Sequence, residues 1–312
     1  MKKKDPSPEI LRIEQLVNDV KTGDIKLPKF QRPFVWDKVD ILKLWDSVYR
    51  GYPIGSILLW LTGEKLASER KIADLEINTR HDDYPTNYLL DGQQRLSSLC
   101  GALYWNGLDK NSPWNIAFDC DKEQFIFPTP GDEERINLFP LNKLIDTANF
   151  INQCKKFEAS VNKEKYNQNA IKLLNSIKDY KIAAVRIGDM NLDEVAPIFE
   201  RINSSGRQLT MVDLMRAATW KGGFDLNDAI EKIRSSCESK NFEDIKDTHI
   251  LRSISGCTGL GIHKEDIDKL RDCTSEQLKE ASHKSVEAYK CIFSSKCTSH
   301  SHQSVPPILR QN

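Results

Sequence analysis

Hydrophobic positions along this chain switch between two periods, and each switch marks an element. Over residues 11–22, Leu11, Ile13, Leu16, Val17 and Val20 fall mostly at helical spacing, and Gly23 is a natural stop. A short strand is expected at 25–27, running into Pro28. Phe30, Gln31, Arg32, Pro33, Phe34, Val35 and Trp36 then form an extended loop, because two prolines disfavour helix around them. Asp37 suits the N-cap of a helix over about 38–50, with Ile41, Leu42, Leu44, Trp45 and Val48 inward and Gly51 closing it. Residues 55–61 read as a buried strand, and 63–86 as polar and loop-rich with one edge strand. Asn87–Leu90 reads as a second buried strand lying beside 55–61. At Asp91 the period changes, so a helix starts at Gly92 and runs to Trp105, with Leu96, Leu99, Cys100 and Leu103 on its inner face.

Short strands are expected near 115–119 and 124–127, helices through most of 141–178, and a β-branched strand at 181–187. A helix from Asp193 to Ile202 is broken at 203–206. Thr210 with Asp213 then forms a capping-box signature for a helix over 211–220. Gly222 and Gly223 mark a hinge, 225–293 reads as helices only, and the Ser/His/Pro-rich tail from Ser294 is expected to fray. The predicted class is α/β (α+β). A mixed-sheet domain over 1–222 precedes an all-helical extension over 223–312 that reads as incomplete.

Composition narrows the function classes. Of 312 residues, 39% are hydrophobic, enough for a core, which excludes global disorder. The 45 basic and 45 acidic side chains cancel, which excludes nucleic-acid affinity resting on bulk charge and leaves room for a local basic patch. The apolar run 57–61 is far short of a membrane span. Lys2, Lys3 and Lys4 lead straight into Asp5 and Pro6, so no leader is expected and the predicted location is cytoplasmic. Eight cysteines without a CxxC pair read as free thiols. Cys291, Cys297, His300 and His302 match no common zinc spacing.

Three segments can carry chemistry. In the first, a strand feeds Asp91, Gly92, Gln93, Gln94 and Arg95. Backbone N–H groups at a helix start attract anions, and Gly92 allows close approach. The two glutamines supply neutral amides, and Arg95 supplies a guanidinium suited to phosphate. Asp91 can cap, hold a metal or activate water. An ordinary capping box from Asp91 to Gln94 explains the same residues about as well. In the second, Gln31 and Arg32 sit between aromatics on a stiff loop, as phosphate or base contacts or as a packed loop whose arginine covers a ring. In the third, Arg201, Asn203, Ser204, Ser205, Gly206 and Arg207 form an anion-binding nest or a plain helix–helix turn. P-loop, GxSxG and HExxH signatures are absent.

Taken in order, FQRPFVW, GYPIGSILLW, LLDGQQRLSSL and FERINSSGRQL resemble the N-terminal domain of GmrSD-type restriction endonucleases over roughly residues 10–220. The resemblance implies a ParB/sulfiredoxin-like fold and a prokaryotic phage-defence or restriction-modification role acting on modified DNA. It implies a nucleoside triphosphate, GTP or another, with Mg2+, as cofactor. The DGQQR motif is the family's hydrolysis motif, which makes Asp91, Gln93, Gln94 and Arg95 the implied catalytic residues. Gln31, Arg32, Gly92, Arg201, Asn203, Ser204, Ser205 and Gly206 become the implied nucleotide-binding set, and no metal ligand is assigned. Gln31, Arg32 and Arg95 are expected to converge on one pocket. Phe34 stands where the family often has tyrosine. Many members of the family continue into a C-terminal His-containing nuclease half, which reads as missing here through truncation, because the sequence is a fragment, or because a partner chain supplies it; the implied partners are DNA and/or a nuclease subunit, with an oligomer allowed and no membrane. The alternative is a non-catalytic nucleotide- or DNA-binding module.

Overall fold

The computed structural model describes residues 6–29, 31, 34–63, 66, 68–73, 75–78, 85–132, 134–188, 190, 192–202, 211–219, 224–236 and 245–293. The chain divides into two compact units. The first comprises Met1–Leu27, Arg32–Glu64 and Ser68–Asn191; the second comprises Pro28–Gln31, Lys65–Ala67 and Leu192–Asn312.

The first unit is built on a mixed five-stranded sheet. Its strands are β1 (Ser7–Arg12), β2 (Ile25–Lys26), β3 (Ile57–Thr62), β6 (Thr86–Asp91) and β10 (Lys181–Gly188), in the order β1-β10-β3-β6-β2. β10 runs parallel to β3 and antiparallel to β1, while β6 runs antiparallel to β3 and parallel to β2. The run Ile57, Leu58, Leu59, Trp60 is buried throughout, as a central strand covered on both faces requires. Three helices carry much of the cover. They are α1 (Ile13–Thr22), α2 (Lys38–Arg50) and α3 (Gln93–Tyr104), and they bury Val17, Trp45 and Leu99 fully. α2 begins as its sequence demands: the Asp37 carboxylate accepts from the Asp40 amide at 2.9 Å, and Gly51 ends it in the left-handed conformation.

A three-stranded sheet adjoins this core, with β7 (Ala117–Asp119) between β8 (Gln124–Ile126) and β9 (Leu138–Pro140). Helices α4 (Thr147–Lys156) and α5 (Lys163–Asp179) follow, and β4 (Lys71–Ile72) pairs with β5 (Leu75–Glu76) in a small ribbon.

Two local expectations need correction, and one further strand, β9, had none. Leu11 belongs to β1 rather than to the first helix: pairing of Ser7–Arg12 with β10 takes it out of the apolar run that continues at Ile13, Leu16 and Val17. The 63–86 stretch holds a paired ribbon rather than one edge strand. β9 is a strand that three residues ending in Pro140 do not announce, and its pairing with β7 creates it.

The second unit is helical: α6 (Leu192–Ile202), α7 (Met211–Ala218), α8 (Leu226–Ser235), α9 (Asp247–Thr258), the short α10 (Lys264–Asp268) and α11 (Ser275–Phe293). Ile230, Ile233, Ile250, Leu251, Ile254 and Leu278 are fully buried in its core. A buried Ser253–Ser285 hydroxyl pair at 2.8 Å joins α9 to α11. Cys100, Cys120, Cys154, Cys257 and Cys273 are free, as expected of this chain's thiols. Cys291 is disulfide-bonded, and there the expectation fails. No helix among the described residues is long and apolar enough to cross a membrane.

Candidate functional site

The first unit turns its second buried strand directly into a helix. β6 runs through Tyr88, Leu89 and Leu90, all buried, and ends at Asp91. Its register with β3 slips here, so that Leu58 faces Asp91 while Leu59 faces Leu89. Such a bulge re-aims the strand's last side chain. Gly92 is left-handed at φ 100°, α3 starts at Gln93, and the Leu96 amide donates to the Gly92 carbonyl at 2.9 Å. No side chain hydrogen-bonds to this helix start as a cap. The capping box of Asp91 with Gln94 is therefore not formed. Gly92 is the N-cap, and both polar side chains are used elsewhere.

Asp91 bonds to Arg95 instead. The guanidinium Nη2 donates to the Asp91 carboxylate at 3.0 Å, and Nη1 donates to the Ile54 carbonyl at 3.0 Å. Two glycines close on it. A Cβ on Gly55 (φ 87°) would lie 2.2 Å from Nη1, and one on Gly92 would lie 3.3 Å from Nη2 and 3.2 Å from Ile57 Cγ1. Arg95 thus joins three chain segments at one point, with 19% of its side chain still exposed against 37% for Asp91. Gly55 and the Ile54 carbonyl are site components that residue chemistry alone missed. The one available signal was their position in the GYPIGS stretch.

Gln94 is only 5% exposed, and its Oε1 accepts from the Val35 amide at 2.8 Å and the Trp36 amide at 3.2 Å. The end of the FQRPFVW loop is therefore seated on α3 by a side chain 58 residues later. Phe34 packs edge-on against Trp114 at 4.9 Å, and Trp114 lies over Gly101 of α3, where a Cβ would come within 2.4 Å of the indole. Gln93 is half-buried at the first turn and makes no side-chain hydrogen bond among the described residues. Further along α3, burial pushes the Cys100 thiol well above its usual range, so it is no nucleophile.

Of the remaining candidates, Gln31 falls in the second unit, where its amide donates to the Pro28 carbonyl at 3.1 Å. Arg201 is exposed in the last turn of α6. Arg32, Asn203, Ser204, Ser205, Gly206, Arg207 and Thr210 lie outside the described residues, as do the Gly222–Gly223 hinge, Cys297, His300 and His302.

The donor set suits a phosphate: amides at a helix start that no side chain caps, the Gln93 amide and a partly exposed guanidinium. Among the described residues no group of three or more His, Cys, Asp or Glu is arranged around a metal. A Mg2+ ion carried by a triphosphate needs only one or two protein carboxylates, and Asp91 is the one at this junction.

A family model described as GmrSD restriction endonuclease, N-terminal domain, matches residues 13–220. Uncharacterized protein MJ0686 of Methanocaldococcus jannaschii is 25% identical over 309 residues, covering 82% of this chain and 50% of the archaeal protein. The chain thus spans about half the length of this curated relative. Because the family match runs from α1 to the end of α7 and takes in all four motifs, the chain belongs to the GmrSD restriction endonuclease N-terminal domain family.

Proposed function

We propose that this chain is the nucleotide-dependent regulatory component of a prokaryotic restriction or anti-phage system acting on modified DNA. It binds a nucleoside triphosphate at the β6–α3 junction and hydrolyses it. The observation that carries this reading is the junction itself, where a strand, a left-handed glycine and an uncapped helix start are followed within one turn by an arginine. The helix amides and Arg95 would meet the phosphates, and the guanidinium would offset charge moving toward the leaving oxygen. Gln93 would orient the attacking water, and Asp91 would hold Mg2+ or that water. Gln94 would act through the Val35–Trp36 backbone rather than on the substrate. DNA and a nuclease chain are the proposed partners, since the matched family is the N-terminal domain of a restriction endonuclease.

A second reading has its own support. Both charged members of the motif are engaged with protein groups, Arg95 with Asp91 and with the Ile54 carbonyl. A binding module without turnover would use the same residues as a ligand-gated clamp. Phosphate release from a panel of nucleoside triphosphates, with and without modified DNA, separates the two. The hydrolase releases phosphate and the clamp binds without release.

A further inference from the structure

The GYPIGS loop leads from α2 into β3, and two side chains from far along the chain hold its backbone. Left-handed glycines bracket it, Gly51 at φ 73° and Gly55 at φ 87°. Among the described residues no backbone N–H donates to the carbonyl of Tyr52 or of Ile54. The Tyr180 hydroxyl donates to the first at 2.5 Å, and Arg95 Nη1 donates to the second at 3.0 Å.

Topology explains why Tyr180 is there. It is the single residue between α5 and β10. β10 runs parallel to β3 with Ala184 beside Ile57. The same register, followed back past the start of both strands, brings Tyr180 alongside the 52–54 backbone. Its ring and the Ile54 side chain both pack on the core of this unit. Burial pushes the hydroxyl's pKa up, and a hydrogen bond from the Ile54 amide opposes that shift. The hydroxyl thus grips the loop twice, donating to the Tyr52 carbonyl and accepting from the Ile54 amide. Ile54 is engaged on both sides: its N–H meets Tyr180 and its carbonyl meets Arg95.

An acceptor on a glycine-flanked loop can drift with the donor it holds. Tied back by Tyr180, the Ile54 carbonyl is a fixed point for Nη1, and Asp91 is the second point, for Nη2. Two fixed points set the plane of a guanidinium and leave its remaining N–H donors for an anion. We propose that Tyr180 is a positioning residue of the β6–α3 site: its hydroxyl fixes Ile54, and Ile54 aims the Arg95 guanidinium. Tyr180 lies in none of the four family-like motifs and carries no periodic signal of this role. The effect on hydrolysis rests on the function proposed above; the effect on the guanidinium does not.

The test is Tyr180→Phe in the full chain, which removes the hydroxyl and keeps the ring. Tyr166→Phe, near the start of the same helix, is the control. In nitrogen-15 spectra the Arg95 guanidinium signals are assigned by their loss in Arg95→Ala. Held Nη protons should be resolved in the wild type and in Tyr166→Phe, and in Tyr180→Phe they should exchange with water about tenfold faster or merge. A misplacement of about 1 Å costs on the order of a hundredfold in rate. Turnover of the nucleoside triphosphate that the wild type hydrolyses fastest should therefore fall at least about tenfold in kcat in Tyr180→Phe. KM should stay within about twofold, because the helix amides still hold the ground-state phosphates. Guanidinium signals unresolved in the wild type, or identical in wild type and Tyr180→Phe, would overturn the proposal. So would a wild-type kcat per folded molecule in Tyr180→Phe, which a purely structural tyrosine predicts. If the wild type shows no turnover, the hydrolase reading falls, and the guanidinium signals still decide whether Tyr180 positions Arg95.

Discussion

Arg95 holds three pieces of chain together because two glycines leave room for its guanidinium. At Gly55 a methyl group would sit 2.2 Å from Nη1 on a backbone already at φ 87°, so Gly55→Ala must strain the backbone and displace the arginine. Strained positions of this kind cost about 1–3 kcal/mol. Urea melts should report a loss of that size, and nucleotide turnover should fall with it. A variant of unchanged stability would mean that the guanidinium has another place to rest. Asp119 gives a separate handle on this unit. Burial alone would raise its carboxyl, but the Lys122 and Asp121 amides, Asn137 and Arg135 outweigh burial and hold it below the usual range. A group depressed in the folded state stabilises fully above the unfolded value, near 3.9, and loses that contribution as pH falls through the folded value. Between about pH 7 and pH 3 the wild type should therefore lose more stability than Asp119→Asn, which lacks the titrating group. Equal losses would assign the acid sensitivity to other carboxylates.

Elements, not single residues, decide where the loop before α2 lies. Gln94 accepts two backbone amides, from Val35 and Trp36, while Phe34 rests on Trp114 and Trp114 on Gly101. Gln94→Ala removes the acceptor from both amides at a nearly buried position, which should cost about 1–3 kcal/mol. Hydrogen exchange at Val35 and Trp36 should accelerate with it. Unchanged exchange at those amides would show that the aromatic stack alone holds the loop. None of this is legible in the sequence, because an amide accepting from residues 58 and 59 positions earlier leaves no periodic mark. The DGQQR segment is legible as a strand–glycine–helix junction, since the apolar period changes there. What the residue types do not reveal is that Gly92 takes the N-cap position, which leaves the helix start without a side-chain cap and frees Asp91 for Arg95 and Gln94 for the loop. β1 and β9 are hidden for a related reason: their strand character comes from partners far along the chain, β10 and β7, rather than from their own alternation.

At the scale of the whole molecule, a mixed sheet with helical cover is followed by helices, as the order of periodic segments predicts. The family match ends at residue 220, beyond the first unit, so the matched region draws on α6 and α7 of the second unit as well. A ligand that binds only the folded chain stabilises it by about 2.7 kcal/mol at a hundredfold excess over Kd. Saturating nucleoside triphosphate should thus raise the melting temperature of the wild type and leave that of Arg95→Ala unmoved. A shift of equal size in both would move the nucleotide site away from the β6–α3 junction. The most direct measurement is phosphate release by wild type and Arg95→Ala from one panel of nucleoside triphosphates, with the melting temperature of each preparation recorded alongside. The expected result is turnover by the wild type, reduced by on the order of 10³–10⁵ in a variant that still folds and melts cooperatively. A folded Arg95→Ala protein that hydrolyses nucleotide at the wild-type rate would contradict the assignment of the chemistry to this junction.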